Sequence, residues 1–225
     1  MRNGFARIIA RLMSWFFNQL YTRLAWAYDG VAGLVSLGRW QDWVLAMIPH
    51  ATPSPTLEVG FGPGHLQSAL RLRDDEIYGI DLSRPMCNLT RKRLLEIGRV
   101  ARITRADVEN APFPDETFSR IVTTFPAPYI FSPATARECY RLLKADGVLV
   151  VLLSVQMNGN SLPERVIRLV LRPPGLRKAE NLAVETIFAA YRAQGFQTTS
   201  QWLRSREDDL LVLSFQKPGF IIKGF

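Results

Sequence analysis

Leu57-Glu58-Val59-Gly60-Phe61-Gly62-Pro63-Gly64-His65 decides the fold of this chain. Leu57 to Val59 reads as a buried strand, the glycines as a tight turn, and the residues after Gly64 as the start of a helix. A Gly-x-Gly-x-Gly turn lets backbone approach a ligand where a Cβ would collide. The helix that follows aims free N–H groups at the same place. The dinucleotide fingerprint Gly-x-Gly-x-x-Gly needs glycine at position 65. His65 stands there, which argues against a nicotinamide oxidoreductase.

Outward from the turn the pattern continues. Ile77-Tyr78-Gly79-Ile80-Asp81-Leu82-Ser83 reads as a second strand ending in an acid. An acid there can accept hydrogen bonds from both hydroxyls of a ribose. Arg105-Ala106-Asp107-Val108-Glu109 is followed by Pro112-Phe113-Pro114-Asp115-Glu116-Thr117-Phe118 and by a further apolar run, Ile121 to Phe125. A helix with a basic end, Arg137 to Lys144, leads through Ala145-Asp146-Gly147 into the apolar run Val148 to Leu153. Asn181 to Gln194 reads as a helix ended by Gly195. Phe196 to Arg204 and Leu210 to Gln216 read as two strands joined by the polar turn Ser205 to Asp209. Strands alternating with helices give an α/β fold, a mostly parallel Rossmann-like sheet with helices on both faces.

This ordered set resembles the class I S-adenosylmethionine-dependent methyltransferases. Within them it is most similar to the branch of quinone-biosynthesis and small-molecule enzymes (methyltransferase type 11). The resemblance covers roughly residues 25 to 217. It implies a seven-stranded sheet with the last strand antiparallel, S-adenosylmethionine as cofactor, and a set of site residues. Gly60, Phe61, Gly62 and Gly64 fall in the loop that cradles the methionine portion. Glu58 matches an acid that helps hold the amino group, and Asp81 matches the ribose-binding acid. Leu82 and Met86 would pack against the adenine, Asp107 would accept from its amino group, and Val108 would donate its backbone N–H. Thr124 and Phe125 end the fourth strand near the transferable methyl. Tyr28 lies in Ala27-Tyr28-Asp29, which with Ser36-Leu37-Gly38-Arg39-Trp40 resembles the element that closes over the cofactor.

Plainer readings of the same residues stay open. Asp81 also suits a helix N-cap ahead of Ser83-Arg84-Pro85. Glu58 suits a strand-end acid, Asp107 a solvated loop acid, and Met86 and Phe125 ordinary core. The chain also departs from the family's habit at two places. Phe118-Ser119 stands where relatives commonly have Phe-Asp. Phe125-Pro126-Ala127-Pro128-Tyr129 stands where many carry a pair of histidines. A histidine base at that place is excluded. Tyr129, His65 and Asp29 are the groups that could serve, and no catalytic residue is assigned.

At 225 residues the chain suits one sizeable domain, read as a body over 51–225 with an N-terminal extension over 1–50. Cys87 and Cys139 are far apart and form no metal or redox motif, which fits a reducing, cytoplasmic setting. With only His50 and His65 present, no histidine-based metal site is expected. The formal net charge is +8. Residues 1–50 carry 5 basic and 2 acidic residues, 51–150 carry 13 and 12, and 151–225 carry 10 and 6. The excess therefore sits in the flanks and suits an anionic partner such as a membrane surface.

The flanks are also apolar. Placed on a helix, residues 3–24 align Arg7, Arg11, Ser14, Asn18 and Thr22 in one stripe and fill the rest with apolar side chains. At most 11 uncharged residues run together, Leu12 to Thr22, where a membrane span needs about 20. The helix could cover the active site, lie on a bilayer, or form a dimer contact. An insertion over 158–178 carries a second basic-apolar stretch, residues 161–178, with Arg165, Arg168 and Arg172 opposite Val166, Ile167, Val170 and Leu171. These features favour methyl transfer to a hydrophobic small-molecule or lipid-like acceptor near a membrane surface. The competing readings are a nucleic-acid methyltransferase and a non-catalytic cofactor-binding scaffold. The former lacks an Asn/Asp-Pro-Pro-Tyr motif after the fourth strand and any appended RNA module. Oligomeric state is not legible.

Overall fold

The computed structural model describes residues 28–159, 161–164 and 176–219. The amphipathic helix expected over 3–24 and most of the basic-apolar stretch 161–178 lie outside the described residues.

Among the described residues two short helices come first, α1 (Tyr28–Ser36) and α2 (Trp40–Leu45). There follow β1 (Thr56–Val59), α3 (His65–Leu72), β2 (Ile77–Asp81), α4 (Arg84–Glu96), β3 (Ile103–Arg105) and β4 (Phe118–Thr124). The chain ends with α5 (Pro133–Leu142), β5 (Leu143–Gln156), α6 (Leu176–Arg192), β6 (Gln197–Ser205) and β7 (Asp208–Gln216). The seven strands form one sheet in the order β3-β2-β1-β4-β5-β7-β6. Only β7 runs against the rest: it pairs antiparallel with both β5 and β6.

Alternation along the strands feeds two cores, one on each face of the sheet. Leu57, Ile121, Leu149, Val151, Leu213 and Phe215 pack on one face against Ala136, Cys139, Ile187 and Tyr191 of α5 and α6. Val122, Val150, Leu152, Leu210 and Val212 pack on the other face against Trp43, Val44 and Met47 and against Leu66 and Leu70 of α3. The α2 region is thus built into the core of the sheet. Thr52 to Pro55, the segment that leads into β1, is held against β4. Pro55 O accepts from Ser119 N at 2.9 Å, and Thr52 O from Arg120 Nε at 3.0 Å.

Two boundaries differ from the sequence reading. The helix expected to reach Lys144 ends at Leu142, and Leu143 already pairs with Phe118 in the sheet. The hairpin after β6 is tighter than expected: Ser205 pairs with Asp208, leaving Arg206 and Glu207 as the turn. Arg206 takes φ +52, as such a two-residue turn demands.

From β1 the chain moves outward through β2 and β3, then returns to β4 on the other side of β1. Connections therefore diverge beyond the carboxyl ends of β1 and β4. In open α/β sheets such a switch point is where ligands bind.

Candidate active site

A cavity of about 630 Å³ opens at that switch point. Its inner wall is the glycine turn, with Glu58, Gly60, Phe61 and Gly62. One side is made by Asp81, Leu82, Asp107 and Val108, the other by Trp40, Val44, Thr124, Phe125, Pro126 and Ala127. The structure thus brings together ten of the thirteen residues singled out in the sequence.

The turn is gripped from several sides. Gly60 N donates to Ile80 O at 2.8 Å, which ties it to β2. Thr90 Oγ1 of α4 donates to Gly62 O at 2.8 Å, and Arg93 Nη1 donates to Pro63 O at 2.5 Å. Asp81, at the end of β2, uses both carboxylate oxygens on backbone. Oδ2 accepts from Gly62 N at 2.9 Å and Oδ1 from Ser83 N at 2.8 Å. Burial pushes the Asp81 carboxyl above the usual range, and these two N–H groups pull it back down. Ser83, not Asp81, is the N-cap of α4, accepting from Met86 N. The lone pairs of Asp81 not aimed at backbone remain for ligand hydroxyls.

Glu58 is the most perturbed group on the cavity wall. It is 1% exposed, and burial pushes its carboxyl up to about 8, with Asp81 adding to the rise and a hydrogen bond from Gln67 opposing it. Its Oε2 has no hydrogen-bond partner among the described residues. A buried, unpartnered carboxylate is costly unless a ligand supplies a donor or a cation.

Two expected site residues stand elsewhere. Gly64 does not line the cavity. It takes φ +81, and a Cβ on it would fall 2.4 Å from Thr90 Cγ2, so its smallness serves the packing of the turn on α4. Met86 is fully buried and packs with Ala32, Val31 and Trp40 instead of reaching the cavity. The first turn of α4 points it inward, which is the plain core reading. Tyr28 starts α1, but its side chain lies outside the described residues.

On the β2–β3 side of the cavity, Asp107 accepts from Glu109 N at 3.0 Å and caps a short 3-10 turn over Val108–Asn110. It is exposed, as is Leu82 at 61%. Arg105, which the sequence reading left unassigned, joins this side and donates from Nε to Leu82 O at 2.9 Å.

The opposite wall is aromatic. Trp40 stacks on Phe125 with centroids 4.3 Å apart and planes at 29°, and Trp43 stands 6.4 Å from Phe125. Phe125 sits at φ +49, a conformation that L residues avoid and that a bulky ring makes costly. Val44 carries no motif signal, and Trp40 stands only as the last residue of the stretch Ser36–Trp40 that resembles the closing element.

Two groups open as candidate bases are placed. Tyr129 Oη bonds with Thr123 Oγ1 at 2.8 Å and donates to Val59 O at 3.3 Å. It also fills the space beside Gly60, where a Cβ would lie 2.7 Å from Oη. This hydroxyl braces the ends of β1 and β4. His65 lines the cavity at the start of α3. The side chain of Asp29 lies outside the described residues.

Comparison with known proteins agrees with this geometry. Residues 57–151 match the methyltransferase domain family. The chain is 30% identical over 140 residues to the demethylmenaquinone methyltransferase of Thermotoga maritima, covering 60% of this chain and 59% of that relative. Among solved structures it is similar to an S-adenosylmethionine-dependent methyltransferase of Methanococcus maripaludis. There the TM-score is 0.63 and the identity 20%, over 90% of this chain and 96% of the other. It is also similar to the geranyl diphosphate C-methyltransferase of Streptomyces coelicolor, solved with geranyl diphosphate and S-adenosylhomocysteine. That match has a TM-score of 0.53 at 14% identity, over 79% of this chain and 78% of the other. The structural likenesses concern the fold; the sequence matches reach further. Residues 57–151 thus resemble a methyltransferase domain, the chain spans about three fifths of the length of the quinone-biosynthesis relative it matches, and its fold is that of the S-adenosylmethionine-dependent methyltransferases.

Proposed function

We propose that this protein transfers a methyl group from S-adenosylmethionine to a hydrophobic, quinone-like acceptor. The observation that carries the proposal is Glu58: a buried carboxylate with an unpartnered oxygen on the wall of a cavity whose floor is a glycine turn. The amino acid end of the cofactor carries the ammonium that such a group lacks. In this reading Asp81 takes the ribose hydroxyls, and Leu82, Asp107 and Val108 take the adenine. Bound there, the cofactor supplies an activated sulfonium methyl.

What the chain's own residues do is position and enclose. Trp40, Val44, Phe125, Pro126 and Ala127 make an apolar wall at the end of β4, which suits a flat apolar ring. The wall excludes water and holds an acceptor in line, and alignment supplies much of the rate for a donor already activated. The same apolar wall disfavours a nucleic acid base, since Pro126 and Ala127 offer no side chain to hold a base amino group. The quinone-methylating activity of the Thermotoga relative supports the acceptor class.

The reading extends to the surface. Among the described residues no helix is long and apolar enough to cross a membrane. The basic-apolar stretches 1–24 and 161–178 would make peripheral contact with an anionic bilayer. Deleting residues 1–24 should abolish binding to phosphatidylglycerol vesicles; unchanged binding removes the membrane part of the proposal. Methyl transfer to demethylated naphthoquinols and benzoquinols, followed with labelled cofactor, tests the rest. No transfer to any quinol in a protein that binds the cofactor would redirect the acceptor assignment.

A further inference from the structure

Arg39 lies in the corner between α1 and α2, one residue before Trp40. Its guanidinium reaches two segments distant in sequence. Nη2 donates to Glu164 Oε1 at 2.7 Å, in the segment after β5, and Nη1 donates to Asp208 Oδ1 at 3.2 Å, at the start of β7. All three side chains are largely removed from water: Arg39 is 15% exposed, Glu164 8% and Asp208 0%.

The two acids are otherwise committed. Glu164 Oε2 accepts from both the backbone N and the Oγ of Ser161. Asp208 Oδ2 accepts from Trp43 Nε1 at 2.9 Å, and its Oδ1 also takes Asn158 N at 3.3 Å. One cation therefore compensates two buried carboxylates, and it joins three pieces of chain: the α1–α2 corner, the segment 158–164, and the β6–β7 hairpin. Asp42 of α2 adds a second tie to that hairpin, 2.8 Å from Arg206 Nη1. A planar guanidinium can meet both carboxylates at once, whereas an ammonium is a single point charge.

The consequence lies next door. Trp40 follows Arg39 directly and forms the cavity wall by stacking on Phe125. Trp43, held by Asp208, backs the same stack at 6.3 Å from Trp40. We infer that Arg39 is a positioning residue for the acceptor half of the cavity. It latches the segment after β5 and the last hairpin onto α2, and so fixes the Trp40–Phe125 wall. The cofactor half, built on β1, β2 and α4, has no contact with this latch in the hydrogen bonds described. The inference rests on the proposed methyl transfer for the name of the ligand, but not for the mechanics of the latch.

The test compares wild type with Arg39→Lys, Arg39→Met and Glu164→Gln by three readouts. These are titration with S-adenosylhomocysteine, steady-state KM and kcat with a demethylated naphthoquinol, and hydrogen exchange at residues 36–46 and 158–164. For Arg39→Met, S-adenosylhomocysteine affinity should stay within about twofold while the acceptor KM rises about tenfold and kcat changes little, the pattern of lost uniform binding. Exchange should quicken in both segments together. Arg39→Lys should recover part of the KM, because it can satisfy one acid at a time. Glu164→Gln removes the charge, leaves one acceptor oxygen for either Arg39 or Ser161, and serves if Arg39→Met does not fold; it should show the same pattern more weakly. Equal KM and equal exchange in the variants overturn the latch. If wild type methylates no quinol, the acceptor reading fails by itself, and exchange still decides the latch: coupled acceleration upholds it and no change overturns it.

Discussion

Asp81 Oδ2 accepts a hydrogen bond from Gly62 N at 2.9 Å, so the acid that ends β2 holds in place the turn that follows β1. The carboxylate proposed to take the ribose hydroxyls is thus also the clamp of the glycine loop. Removing it does two things at once.

Asp81→Ala should lose cofactor binding by more than the value of two hydrogen bonds to hydroxyls, about 100-fold or more, because the loop loses its anchor as well. Asp81→Asn keeps an acceptor oxygen for Gly62 N and should fall between. Calorimetric titration of both variants with S-adenosylhomocysteine separates clamp from contact: equal losses would mean that the loop does not need the clamp.

Glu58 makes both stability and affinity depend on pH. Its carboxyl rises from about 4.5 to about 8 on folding, mainly through burial. The folded protein therefore holds a proton that the unfolded chain releases. Its contribution to stability is full below about pH 4.5 and is lost as pH rises through 8, at no more than about 1.4 kcal/mol per pH unit. Glu58→Gln should flatten this slope in ligand-free thermal melts between pH 5 and 8. An ammonium ligand needs the ionised form, so affinity for S-adenosylhomocysteine should climb with pH over the same window and level off above it. A slope unchanged by the Gln substitution would contradict the assignment.

The glycines of the turn should respond differently to alanine. At Gly64 the added Cβ meets the Thr90 side chain, with atoms at 2.4, 2.6 and 2.9 Å, and the φ of +81 is strained for any L residue. Gly64→Ala should destabilise the fold by about 2–4 kcal/mol, the range of overpacking plus strain. At Gly62 a Cβ meets nothing within 4 Å. Gly62→Ala should cost only the strain of its φ of +53, about 1–2 kcal/mol, while weakening cofactor binding. Denaturant melts and titrations on the two proteins check the crossing of these effects.

Tyr129 is placed as a brace, not as a base. Its hydroxyl bonds with Thr123 Oγ1 and Val59 O across the ends of β1 and β4. Tyr129→Phe should therefore cost about 1 kcal/mol of stability and leave kcat within about threefold. A loss of kcat of a hundredfold or more, with stability intact, would give the hydroxyl a role in proton transfer.

The strands, the turn and the order of acids were legible because each rests on local pattern. Leu57 to Val59 and Ile77 to Asp81 are short apolar runs that end where glycine or an acid must stand. What was not legible depends on contacts between distant residues. Gly64 looked like a ligand-facing glycine because sequence shows the spacing and not Thr90 beside it. Met86 was expected at the adenine from the resemblance, with core as the other reading, and the first turn of α4 carries it inward onto Ala32. Trp40 belongs to a wall only because Phe125, far along the chain, meets it. The Arg39 latch needs three separated segments to fold before it exists.

In the proposed function the cavity at the end of β1 and β2 is a cofactor site organised by Asp81 and Glu58. The most direct measurement is isothermal titration of the purified protein with S-adenosylmethionine and S-adenosylhomocysteine, beside Asp81→Ala. Saturable binding of one equivalent in wild type, lost in the variant, is the predicted result. Absence of binding to either ligand by a folded wild-type protein, or binding that Asp81→Ala leaves untouched, would contradict the account.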